Sequence, residues 1–380
     1  MARSDRTSST AGHPPLPTAA LDYDLPERLI ATRPAEPRDS ARMLVVRRSA
    51  GPIEHRSVRD LPEYLGAGDV LVFNDTAVVA ARFFARRADT GGRLEGLFLE
   101  ELAAGRWRLL LRAAGRLKPG HCLELVNAEG GNGGYDLQLE DRDGPEWIAQ
   151  LRPPHQAPIV LEAVGCTPLP PYILRARRSG HLRFNDADDR RWYQTIYADP
   201  GRRRSVAAPT AGLHFTRPLL EAIDRKEVQR RHVTLHVGPG TFKPITADTV
   251  AEHDMHAEWY EVSGEVMAAL RAAKQARGEG SPRRILAVGT STVRTLESLP
   301  DPLPPEGDAS IIGETDLLIA PPYSFRHVEG MLTNFHLPRS TLLALVAAMI
   351  GLDRLLAVYR EAIRREYRFY SYGDAMLILP

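Results

Sequence analysis

The chain has 380 residues, 43% of them hydrophobic and 26% charged, enough for a substantial core in two domains or in one elaborated domain. Its 49 Lys+Arg against 48 Asp+Glu leave a net charge of +1, which excludes a globally basic protein that coats nucleic acid. Cys122 and Cys166 are the only cysteines, too few for a disulfide framework and not in metal-ligand spacing, so a reducing cytoplasm is the expected setting.

The opening MARSDRTSSTAGHPPLPTAA has no apolar signal core and reads as a disordered tail over residues 1–20. MLVVRR, which follows, is assigned to the α/β part. Between Asp69 and Val160 short apolar runs recur: DVLVF, VVAARFF, RLEGLFLE, RWRLLLR, CLELV, YDLQLE and EWIAQL. With GG and GGNGG turns between them, they predict a small antiparallel barrel or sandwich. Past Pro168 the pattern alternates. Helices are predicted over residues 188–198, 216–226, 265–277, 291–298, 340–350 and 353–366, and strands at HVTLHV, RRILAVG, LLIAP and AMLIL. The most apolar run, LLALVAAMI, is half the ~18 residues of a membrane span. The expected architecture is a larger discontinuous α/β domain, residues 21–72 and 161–380, with a smaller antiparallel β-barrel inserted at 73–160.

Several segments carry groups suited to chemistry. From Arg175 to Arg204 nine arginines face four acids, a local +5 that is either a phosphate-binding surface or a solvated charged face. Gly289-Thr290-Ser291-Thr292 opens a helix straight from a strand. It is either an anion site or plain N-capping. HDMHAE places His253, His256 and Glu258 close together, but not at the i, i+4 spacing of two imidazoles on one helix face. Acid/base groups, structural histidines and a metal site all fit that run. Gly238-Pro239-Gly240 allows a sharp turn at a strand end, and Arg294 and Glu297 have the spacing of an i, i+3 pair. NFHLPRST sets Asn334 and His336 before a helix. YRFYSYGDAM gathers aromatics beside Asp374, either to stack a base or to fill a core. A P-loop, a GxGxxG fingerprint and a nucleophile elbow are all missing.

Read in order, YDLPERLIA, RDSARMLVV, GDVLVFNDT, PLPPYI, WYQTIYA, VAAPTAGLHFT, TLHVGPGTF, HDMHAEWY, AVGTSTVRTLE, LTNFHLPRSTLL and YRFYSYGDAML resemble the S-adenosylmethionine:tRNA ribosyltransferase-isomerase family of queuosine biosynthesis, over residues 21–380. The resemblance implies a transferase that moves the ribosyl part of S-adenosylmethionine to 7-aminomethyl-7-deazaguanine at the tRNA wobble position and isomerises it, releasing adenine and methionine. It implies a monomer working without a metal or other cofactor, S-adenosylmethionine being a co-substrate.

That chemistry needs a base at the carbon beside the sulfonium and a proton for departing adenine. The resemblance makes His214 and His236 the leading candidates, followed by Glu258, His253 and His256. It also marks Phe73, Asn74, Asp75, Tyr193, Gln194, Thr210, Gly212, Thr290, Ser291, Arg294, Asn334, His336, Tyr372 and Asp374 as groups for sugar, base or carboxylate. Arg177, Arg178, Arg202, Arg203 and Arg204 become contacts to tRNA phosphates, with the small residues of VAAPTAG leaving room for substrate. Ala77 stands where the family carries arginine, Pro322 where it carries glycine, and Arg202 to Arg204 look like an insertion.

Overall fold

A computed structural model describes residues 15–49, 51–127, 129–238, 240, 244–305, 307 and 309–380. Its larger sheet has nine strands, in the spatial order Ile311–Thr315, Glu258–Val262, Gln229–Leu235, Val70–Asn74, Ile285–Val288, Gly330–Asn334, Ala375–Leu379, Arg42–Arg47 and Glu54–Ser57. The four from Gln229–Leu235 to Gly330–Asn334 run parallel. VLVFN, ILAV and GMLTN are buried at every position, as parallel strands covered on both faces require. Val70 and Val72 point into one core with helices Gly264–Gly278, Thr290–Glu297 and Thr341–Ile350. Leu71 and Phe73 point into another, with helix Arg217–Asp224.

The second sheet is a barrel. Arg82–Arg87 pairs with both Arg93–Ala103 and Cys122–Val126, and the ring closes through Arg106–Ala113, Glu146–Arg152 and Asn132–Asp143. Along Arg93–Ala103 and Glu146–Arg152 buried residues alternate with less buried ones, sending Leu94, Phe98, Trp147 and Ala149 inward. The helix Ala157–Val164 packs Val160, Leu161 and Val164 into that core. The α/β body and the antiparallel barrel are therefore as the spacing predicts. DVLVF, grouped by spacing with the barrel runs, is instead central in the large sheet. Phe73 and Asn74, expected to begin the insertion, end that strand.

Other expectations need correction. LLIAP forms no strand; the strand is Ile311–Thr315, just before it. Leu317 N–H donates to Thr315 Oγ1 at 3.2 Å and Leu317 O accepts from the distant Arg294 Nε at 3.0 Å, so side chains take its backbone groups. The helix read over 188–198 is Asp186–Trp192, started by the Asn185 side chain and stopped where Arg38 donates to the carbonyls of Arg191 and Gln194. The tail over 1–20 ends early. Thr18 is buried and anchored, its N–H donating to Asp248 O at 2.9 Å and its hydroxyl to Ala247 O at 2.8 Å. Residues 1–14 and Pro239, Thr241 and Phe242 of TLHVGPGTF lie outside the described residues. Among the described residues no single helix is long and apolar enough to cross a membrane.

Candidate active site

The four parallel strands end on one edge, where open α/β sheets place ligands. Each contributes a polar group there. Asn74 Oδ1 accepts from Leu235 N at 3.1 Å, and Asn74 Nδ2 donates to Leu235 O at 3.0 Å and to Ser291 Oγ at 3.3 Å. One side chain thus ties three neighbouring strand ends. Gly289, at φ 91°, makes the turn from Val288 into helix Thr290–Glu297, a conformation that favours glycine. The hydroxyls of Thr292 and Thr295 bond back to Val288 O and Ser291 O, the ordinary use of such residues in a helix.

His236 follows the strand Gln229–Leu235. Its ring lies against Trp259 with 4.9 Å between centroids and 13° between planes, and its Nδ1 is 2.8 Å from Thr76 Oγ1. Burial, then Arg204 and Arg202, lowers its pKa to about 4, so the imidazole is neutral at pH 7. It lines a cleft of about 370 Å³ between barrel and body, together with His253, His256, Glu258, Arg294 and Arg204. Burial and His256 lower the His253 pKa. Glu258, starting the strand Glu258–Val262, is ion-paired with Arg294 and accepts from Gly238 N at 2.9 Å; both ionised side chains are buried. Arg294 also donates to Leu317 O and Thr315 O. It does not pair with Glu297, whose carboxylate accepts from the backbone N–H groups of Arg326, His327 and Val328. Among the described residues no three His, Cys, Asp or Glu side chains converge as metal ligands.

His214 lies elsewhere. It closes the turn Thr210–His214, is buried, and does not line the cleft; its Nε2 is 3.2 Å from Asn334 Nδ2. Asn334 in turn accepts from Thr210 Oγ1 at 2.9 Å and donates to Tyr370 O at 3.2 Å. Burial, with Arg368 and Arg38, lowers the His214 pKa to about 3. His336 is similar: its Nε2 is 2.8 Å from Thr333 Oγ1, and burial lowers its pKa to about 3.

Several expected binding groups make contacts within the framework. Phe73 is fully buried between Tyr197 and Phe215, and Gln194 Oε1 accepts from Val78 N. Asp374 accepts from the N–H groups of Arg42 and Arg368. Asp75 accepts from Thr234 Oγ1, and burial raises its pKa. Tyr193 and Tyr372 are buried against each other, and Thr290 is buried. Packing by itself requires a small residue at Gly212: a Cβ there would sit 1.9 Å from the Tyr197 hydroxyl. Gly212→Ala is expected to cost about 1–3 kcal/mol through overpacking, read as a lower urea midpoint at unchanged m.

The arginines divide. Arg177 is buried and bonded at 2.7 Å to both Asp189 oxygens, so it is withdrawn from any phosphate. Arg202 is held by Asp75, Asp199, Glu261 and Thr234. Arg203–Ser205 pairs with Ala77–Val78, leaving the side chains of Arg203 and Arg204 exposed beside the cleft, and Arg178 is exposed as well. Thr76 and Trp259, neither singled out from sequence, are the groups that hold His236; both lie within the quoted motifs, FNDT and HDMHAEWY.

Imidazoles, a carboxylate and a guanidinium gathered where a barrel meets the carboxyl ends of parallel strands define an α/β scaffold built around an interdomain cleft. The chain belongs to the family described as queuosine biosynthesis protein, which matches residues 18–378. It is 43% identical over 361 residues to the S-adenosylmethionine:tRNA ribosyltransferase-isomerase of Symbiobacterium thermophilum, covering 94% of this chain and 98% of that protein. The protein of that name from Gloeobacter violaceus is 45% identical over 365 residues, 96% of each. The crystal structure of S-adenosylmethionine tRNA ribosyltransferase from Thermotoga maritima is similar with a TM-score of 0.51 and 36% identity, over 95% of this chain and 100% of that one.

Proposed function

We propose that this chain transfers the ribosyl moiety of S-adenosylmethionine to 7-aminomethyl-7-deazaguanine at the wobble position of tRNA and isomerises it, giving epoxyqueuosine-tRNA, adenine and methionine. The observation that carries the reading is a neutral His236 lining the barrel–body cleft, in a chain whose near full-length relatives bear that enzyme's name. With its own hydroxyl proton directed to Arg202 O at 3.5 Å, Thr76 Oγ1 accepts a hydrogen bond from His236 Nδ1–H, leaving Nε2 with a lone pair. That nitrogen serves as the base at the carbon beside the sulfonium, and the imidazolium so formed can return the proton to departing adenine. The Glu258–Arg294 pair lines the same cleft, Glu258 standing on the strand whose Trp259 O accepts from His236 N at 3.0 Å. S-adenosylmethionine is a co-substrate, and the chain acts as a cytoplasmic monomer without metal or other cofactor.

A single-turnover assay tests this: wild-type protein releases labelled adenine only when given tRNA carrying the aminomethyl deazaguanine. Release that ignores the tRNA would overturn the proposal. Arg203 and Arg204 supply phosphate contacts at the rim. Their double alanine variant is expected to bind tRNA more weakly and with a salt slope smaller by about 1 for each phosphate no longer neutralised, while S-adenosylmethionine binding persists. Arg177→Ala is expected to leave that slope alone, since its guanidinium is spent on Asp189.

A further inference from the structure

Leu110 and Val206 line the His236 cleft and also a second, larger one of about 790 Å³ that continues between barrel and body. The floor of this second cleft is apolar, with Leu97 and Leu111 of the barrel facing Leu169 and Leu174 of the body. Three prolines of PLPPYI also line it, and proline has no N–H to present. Phe184 stands in the wall, and Leu182 beside it is 46% exposed.

The charges of this cleft do not balance. Each of its carboxylates is engaged: Glu95 with Arg82 at 2.6 Å, Asp186 with Arg190 at 2.7 Å, and Asp189 with Arg177 at 2.7 Å. Arg112, Arg178 and Arg183 also line it, are exposed, and have no ion-pair partner among the described residues. Three unpaired guanidinium groups around an apolar and aromatic floor suit a ligand carrying several separated anions joined through flat apolar faces. Unpaired RNA has that chemistry, with phosphates for arginines and bases for the floor. A compact metabolite lacks the separated charges, and an apolar peptide lacks the anions.

We infer that the second cleft binds the single-stranded RNA contiguous with the reacting nucleotide, a neighbouring base resting against Phe184 and the leucine floor while Arg112, Arg178 and Arg183 hold its phosphates. The inference rests on the tRNA reading above and extends it, because the two clefts share Leu110 and Val206 in their linings and so stand side by side, within reach of one RNA strand.

The test uses full-length protein, S-adenosylmethionine and an anticodon stem-loop RNA carrying the aminomethyl deazaguanine. All three arginines are exposed, so the triple variant Arg112→Ala/Arg178→Ala/Arg183→Ala leaves the core intact. Its stem-loop affinity is expected to fall about tenfold or more, with the log K against log salt slope shallower by about 0.7 for each phosphate no longer neutralised, about 2 in all. Phe184→Ala in the wild-type background is expected to weaken binding without changing the slope. S-adenosylmethionine binding and the affinity for a single modified nucleotide stay at wild-type values in the triple variant. Unchanged stem-loop affinity and slope there would overturn the inference. Absence of adenine release from the wild type overturns the catalytic reading instead, and the binding comparison still decides what this cleft holds.

Discussion

Replacing His236 by alanine is expected to lower single-turnover adenine release by about 10²–10⁴-fold, the usual worth of a positioned acid–base group, with tRNA binding retained. The geometry gives the reason. Thr76 fixes one ring nitrogen and Trp259 fixes the plane, so the second nitrogen is held with little freedom to lose. Burial together with Arg204 and Arg202 disfavours the imidazolium, which lowers the pKa to about 4. A base is active when deprotonated; the wild-type rate is therefore expected to hold from neutral pH down toward pH 4 and to drop as the ring takes up a proton. Removing the Arg204 charge stabilises the imidazolium, so Arg204→Ala is expected to move that acid limb upward. Near-normal adenine release by His236→Ala, or an acid limb indifferent to Arg204, would remove His236 from the chemistry.

The largest effect on stability is expected from Arg294→Ala, a loss of about 3–5 kcal/mol in urea unfolding. Arg294 joins three places: its guanidinium pairs with Glu258 and donates to Thr315 O and Leu317 O. Truncation leaves the buried Glu258 carboxylate with its counter-charge removed and strips two carbonyls of a charged donor. The double variant Arg294→Met/Glu258→Leu removes both charges of the pair. It is expected to regain most of the lost stability yet remain poor in adenine release, since the cleft wall has lost its polar pair. A loss under about 1 kcal/mol for the single variant would mean that water or a neighbouring group compensates the carboxylate, contrary to its burial.

The arginine cluster illustrates how far local reading reaches. Counting charges from Arg175 to Arg204 identifies a basic segment, but the count treats nine guanidiniums alike. Folding sorts them. Arg177 is drawn into a bidentate pair beneath the surface, Arg202 is held by three carboxylates, and Arg178, Arg183, Arg203 and Arg204 remain outside. The same sorting separates His214 from His236. Both stand in strong motifs, yet one is buried against Asn334 and the other lines the cleft.

Local periodicity and turn chemistry were sufficient for most elements. HVTLHV and RRILAVG marked two of the parallel strands, recurring short apolar runs with glycine turns marked the barrel, and Thr216 and Ser340 marked helix starts through caps that need only neighbouring residues. Such signals depend on contacts a few residues apart and survive reading without the fold. The failures have the opposite character. LLIAP has the composition of a strand, but Arg294, 23 positions from Leu317, takes its carbonyl. Gly212 is small for Tyr197, and Asn74 is polar for Leu235 and Ser291. Which polar group is spent inside the protein and which stays available to a ligand depends on partners brought together by chain folding over tens to hundreds of residues, and that partition separates framework from site.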